Sequence, residues 1–136
     1  MTCLYDLKAD DALRQCIMGI EARYEMGGIE KFSGMTLETL CALVEGHFVG
    51  LGESFNSSPS VKDFKSFLEK HPNEGVTAHG YLISPERKDY GLVIEGLEAC
   101  SPNRDFRADF ALAFGDADEL DCELEHDTAR QYCWYD

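Results

Sequence analysis

The sequence predicts an α+β domain spanning residues 1–136, with three N-terminal helices packed on one face of a four- to five-stranded antiparallel sheet. Two observations carry that expectation. Up to Pro72 the apolar residues recur at helical spacing, and beyond it they form short runs at strand period, broken by turn residues. The joins between the later runs are also too short for parallel crossovers, which leaves antiparallel pairing.

Residues 10–24 set Leu13, Cys16, Ile17, Ile20 and Tyr24 on one helical stripe, with Asp10 and Asp11 in the first turn and Gly27-Gly28 as the stop. A second helix opens at the N-cap Thr36 and aligns Leu37, Leu40, Cys41, Val44 and Phe48. The segment GLGESFNSSPS then reads as a loop. In the third helix Ser60 caps and Asp63 completes a box-like signal, Val61, Phe64, Phe67 and Leu68 form the apolar side, and Pro72 forbids continuation. His71 falls in its last turn, where the helix dipole favours a cation.

Strands are expected near 76–83, 90–98, 106–114, 119–126 and 129–135. SPERKD, residues 84–89, makes a hairpin of the first two, and GDAD, residues 115–118, joins the third and fourth. Leu92, Val93 and Ile94 are apolar on both faces and mark a central strand. In the third strand Phe106, Ala108, Phe110, Leu112 and Phe114 face inward, with Arg107 and Asp109 outward.

Charge is the strongest compositional signal. The formal net charge is −14, with seven basic and eleven acidic side chains in residues 1–70 and five and fifteen in 71–136. Such a balance argues against nucleic acid and anionic membranes, both of which recruit clustered Lys and Arg, and points to a basic protein partner. Seven carboxylates fall in the twelve residues from Asp116, and from Glu119 they alternate as Glu119, Asp121, Glu123, Glu125 and Asp127. Leu120, Cys122, Leu124 and His126 lie between them, so the period is that of a strand with an oily face and a carboxylate row repeating every ~6.8 Å. The last strand adds Tyr132 and Trp134, which would serve as anchors if they face outward beside the acids.

The start of the chain lacks the unbroken apolar run of a signal peptide, and no window has the length of a membrane span, so a cytoplasmic location and free thiols are expected for the six cysteines. No cofactor or metal motif emerges. There is no C-x-x-C and no H-x₃₋₅-H pair, and Cys122 and His126 would stand ~13 Å apart along a strand. The loop opened by Asp116 and Asp118 has Leu120 and Asp121 where a calcium loop needs a ligand and a glycine. The segment around Ser54 lacks the closing glycine of a nucleophile elbow.

The expectation is therefore a small acidic binding protein, of the kind an inhibitor, immunity factor or nucleic-acid mimic represents. Asp109, Glu119, Asp121, Glu123, Glu125, Asp127, Tyr132 and Trp134 form its docking surface. Two alternatives accompany it. One is a small enzyme using Cys100 or Cys133 with His79 or His126 as base. The other is an oligomerising protein whose free strand edge pairs with a second copy as a homodimer.

Overall fold

The computed structural model describes residues 7–54, 58–122 and 130–136. In chain order the elements are α1 (Leu7–Met18), β1 (Ile29–Met35), α2 (Leu37–Glu45), α3 (Val61–Lys70), β2 (Thr77–Ile83), β3 (Gly91–Ala99), α4 (Arg104–Ala113), β4 (Glu119–Cys122) and β5 (Gln131–Trp134). The five strands form one sheet in the order β1-β2-β3-β5-β4, every neighbouring pair antiparallel. The α+β class and the antiparallel sheet hold, but the helices are interspersed with strands instead of preceding them. Among the described residues no helix is long and apolar enough to cross a membrane.

Local chemistry explains where the helices begin and end. Thr36 caps α2 by accepting from the Thr39 amide, and Ser60 with Asp63 forms a reciprocal capping box at α3. Helix α3 buries Val61, Phe64, Phe67 and Leu68, the side expected from their spacing. Helix α1 ends earlier than residue 24. Gly19 takes φ of 68°, its amide bonds the Cys16 carbonyl and the Ile20 amide bonds the Gln15 carbonyl, which is a Schellman stop.

The buried side of α1 also differs from the apolar stripe. Leu13 is 55% exposed and Cys16 is exposed, whereas Asp11 and Arg14 are buried. Arg14 donates to Asp11 at 2.8 Å, to the Tyr24 hydroxyl, and to the backbone carbonyls of Ile83 and Gly91, and its guanidinium lies 4.4 Å from the Tyr90 ring centre. The buried guanidinium, charge-paired within the helix to Asp11, thus fastens α1 to the β2–β3 hairpin through the Ile83 and Gly91 carbonyls, an arrangement that apolar periodicity does not register.

Of the sheet expectations, the hairpin and the central strand hold, whereas the third strand does not. Strands β2 and β3 pair as the expected hairpin, and β3, with Leu92, Val93 and Ile94 all buried, lies in the middle of the sheet. Strand β1 was not anticipated; its register shifts between Phe32 and Met35, so its buried residues do not keep period two. Residues 106–114 are not a strand but helix α4, capped by Asn103, whose side chain accepts from the amides of Asp105 and Phe106. Phe106, Phe110 and Phe114 sit four residues apart and so share a helical face, while Leu112, expected to be inside, is 84% exposed. GDAD accordingly links a helix to β4.

One core joins these parts. Leu40 and Leu43 of α2, Phe64 and Phe67 of α3, and Phe106, Phe110 and Phe114 pack with Ala78, Leu82, Leu97, Cys133 and Tyr135 of the sheet. Phe67 meets Phe110 and Phe114 edge-on, with centroids 5.7 and 4.9 Å apart. Within β4 only Cys122 packs against this core, and Leu120, at the sheet edge, is 40% exposed, so the described part of the oily face expected for the acidic strand is thin.

Candidate functional site

The face of the sheet turned away from that core carries the most distinctive chemistry. In β5, Gln131, Cys133 and Tyr135 are buried while Tyr132 and Trp134 alternate with them on the other side. Pairing fixes their neighbours: Trp134 stands opposite Glu119, and Tyr132 stands between Asp121 on β4 and Glu98 on β3. The two aromatic rings and three carboxylates therefore share one surface. Glu119 and Asp121 are exposed there, and Tyr132, Trp134 and Glu98 are half-buried.

Glu95 joins them by an irregularity. His79 pairs with Gly96 and Gly80 with Ile94, so Glu95 has no opposite number, and its carboxylate accepts from the Trp134 indole N–H at 3.0 Å. His79 crosses above Gly96 to stack on Tyr132, with centroids 4.8 Å apart and planes 6° apart, and its Nε2 lies 2.9 Å from the Cys133 carbonyl oxygen. A Cβ on Gly96 would stand 1.8 Å from that carbonyl oxygen and 2.9 Å from His79 Nε2, so only glycine leaves the passage open.

Arg130 completes the surface. Its guanidinium carbon lies 4.4 Å from the Tyr132 ring centre, with Nε 3.7 Å from Asp121 Oδ2 and Nη1 4.0 Å from Glu98 Oε2. Burial, with Glu119, Glu95 and Glu98 nearby, raises the Tyr132 phenol above its ordinary value, which keeps it a neutral ring at physiological pH. Burial lowers His79 below the usual imidazole value, so it stacks as the neutral form near pH 7.

Of the docking residues expected from sequence, Glu119, Asp121, Tyr132 and Trp134 meet on this surface. Glu123, Glu125 and Asp127, with Leu124 and His126, lie outside the described residues. Asp109 does not belong to the surface, because it is on α4. It holds His71 Nε2 at 2.6 Å and Lys70 Nζ at 3.1 Å. Burial opposes its ionisation, yet the hydrogen bonds from His71 and Lys70 prevail and lower its pKa. Asp116 accepts from the Tyr135 hydroxyl and Asp118 from the Asp136 amide, so these two acids fasten the turn to the chain end.

Glu95, Glu98, His79 and Arg130 were not among the docking residues expected from sequence, although His79 was named as the base of the alternative thiol centre. A glycine inside a strand, Gly96 between Glu95 and Glu98, was the available signal for a close approach across the sheet.

The thiol centre gains little from this geometry. The Cys133 side chain points into the core, its sulfur accepts from the Leu97 amide, and burial pushes the thiol up to about 12, while His79 reaches the Cys133 carbonyl from the opposite face. Cys100 is exposed. Among the described residues no group of three or more His, Cys, Asp or Glu side chains is arranged to hold a metal ion.

Fold and surface together define an α+β domain whose sheet displays aromatic rings set among carboxylates. No family model, curated protein or solved structure matches the chain.

Proposed function

We propose that the domain is a binding protein that docks a basic protein partner on the open face of its sheet. The observation that carries this reading is the placement of Tyr132 and Trp134 on the same face as Glu98, Glu119 and Asp121. Aromatic rings supply rigid apolar contact area, and the surrounding carboxylates supply complementarity to Lys and Arg and steer the encounter. The net charge of −14 acts in the same direction at long range. An inhibitor, an immunity factor or a nucleic-acid mimic would each use such a surface.

Rigidity supports the same reading. Tyr132 is held by His79 and Trp134 by Glu95, both from the central strands, so the rings are ordered before a partner arrives. The test is charge reversal on the face. Glu98→Lys, Glu119→Lys and Asp121→Lys together abolish salt-sensitive capture of the basic partner while the far-UV spectrum and the unfolding transition persist. Undiminished capture by the folded triple variant counts against the proposal.

A further inference from the structure

We infer that the docking face receives an arginine side chain of the partner at Tyr132, and that Arg130 is an internal guanidinium which the incoming one displaces. The inference rests on the docking role proposed above. It comes from how Arg130 is held. Its guanidinium already lies over an aromatic ring with a carboxylate on each neighbouring strand, which is the environment a bound arginine requires. Yet it stops 3.7 Å from Asp121 and 4.0 Å from Glu98, beyond hydrogen-bonding distance of both, and its side chain is 52% exposed.

Arg130 is thus a loose occupant. An exposed pair at this separation contributes little, so its departure costs little. Its position in the chain, two residues before Tyr132, fixes how far it can reach, whereas a guanidinium arriving from outside approaches Glu98 and Asp121 without that tether and can engage a carboxylate with two parallel N–H donors. Arginine is selected over lysine because the planar guanidinium stacks on the phenol ring and donates sideways to carboxylates at the same time. Departure of Arg130 also removes a positive charge from a surface built of Glu95, Glu98, Glu119 and Asp121.

The experiment titrates the full chain with hexa-arginine and hexa-lysine peptides at low salt, following emission from Trp134, the sole tryptophan, which stands on the same face. Calorimetry supplies a second readout. Hexa-arginine binds about two- to fivefold more tightly than hexa-lysine. Arg130→Gln raises the hexa-arginine affinity by more than Arg104→Gln, which removes an equal charge from the exposed start of α4. Tyr132→Leu removes the preference for arginine and leaves hexa-lysine bound. Equal gains from Arg130→Gln and Arg104→Gln, or a preference that survives Tyr132→Leu, overturn the inference while leaving the docking face standing. Unchanged binding of both peptides to the Glu98→Lys, Glu119→Lys, Asp121→Lys variant overturns the docking face as well.

Discussion

His79 reaches Tyr132 across a strand that lies between them, and Gly96 is the residue that lets it pass. The imidazole and phenol rings are 4.8 Å apart and nearly parallel, and the same imidazole meets the Cys133 carbonyl. A methyl group at Gly96 would collide with that backbone oxygen, which belongs to a hydrogen-bonded strand and cannot swing aside. Gly96→Ala therefore destabilises the domain by about 2–3 kcal/mol, measured by urea unfolding, and the surviving folded fraction has a less ordered Tyr132. A change below about 0.5 kcal/mol would show that the strands part easily there.

Stability should fall on mild acidification. Burial holds the folded-state pKa of His79 below its ordinary 6.5, so the unfolded chain takes up the proton first. The contribution is complete above 6.5 and is lost as pH falls from 6.5 through the lower folded value. His79→Gln flattens that part of the profile. Asp109, with its pKa lowered, acts in a separate window: its contribution is present above 3.8 and is lost as pH falls below that value. Asp109→Asn removes the lower-pH loss and leaves the His79 window unchanged.

Arg14 and Asp11 are both buried, and each is the other's counter-charge. Arg14→Met leaves the Asp11 carboxylate with the Tyr24 hydroxyl and the Gln15 amide but no cation, and costs about 3–5 kcal/mol. Adding Asp11→Leu to it recovers part of the loss, because no unpaired buried charge then remains at this site. The denaturant midpoints of the two variants make the comparison.

The cysteines separate by reactivity. Cys16 and Cys100 are exposed, Cys133 is wholly buried, and burial raises the thiols of both Cys122 and Cys133. Among the cysteines of the described residues, iodoacetamide at neutral pH labels Cys16 and Cys100 first and reaches Cys133 only on unfolding, as read by peptide mass spectrometry. Rapid labelling of Cys133 in the folded chain would revive the thiol-centred enzyme.

The sequence made most of the domain legible where a single pattern had a single structural meaning. Ser60 with Asp63 marked a helix start, and Leu92-Val93-Ile94 marked the middle of the sheet. It misled where a pattern fits two periods. Phe106, Phe110 and Phe114 satisfy both a period of two and a helical face; Asn103, with Asp105 behind it, was the capping signal that decides between them. Strand β1 hid because its shifted register separates Phe32 from Met35 by three. The acids of β4 and the rings of β5 were readable as one surface, but Glu95, Glu98, His79 and Arg130 joined it only through strand order and register, which no local pattern encodes.

The central claim is that the open sheet face, and not the overall charge, binds the basic partner. Its most direct test compares two variants of identical net charge. One carries Glu98→Lys, Glu119→Lys and Asp121→Lys on the sheet; the other carries Glu38→Lys, Glu45→Lys and Glu69→Lys on α2 and α3, where all three acids are exposed. Each is used to capture the partner bound by the unaltered protein, identified by mass spectrometry and then titrated in purified form. The expected result is that the sheet variant loses the partner and the helix variant keeps it with affinity reduced only by the change in long-range field. Equal losses in both variants, or retention by the sheet variant, would contradict it.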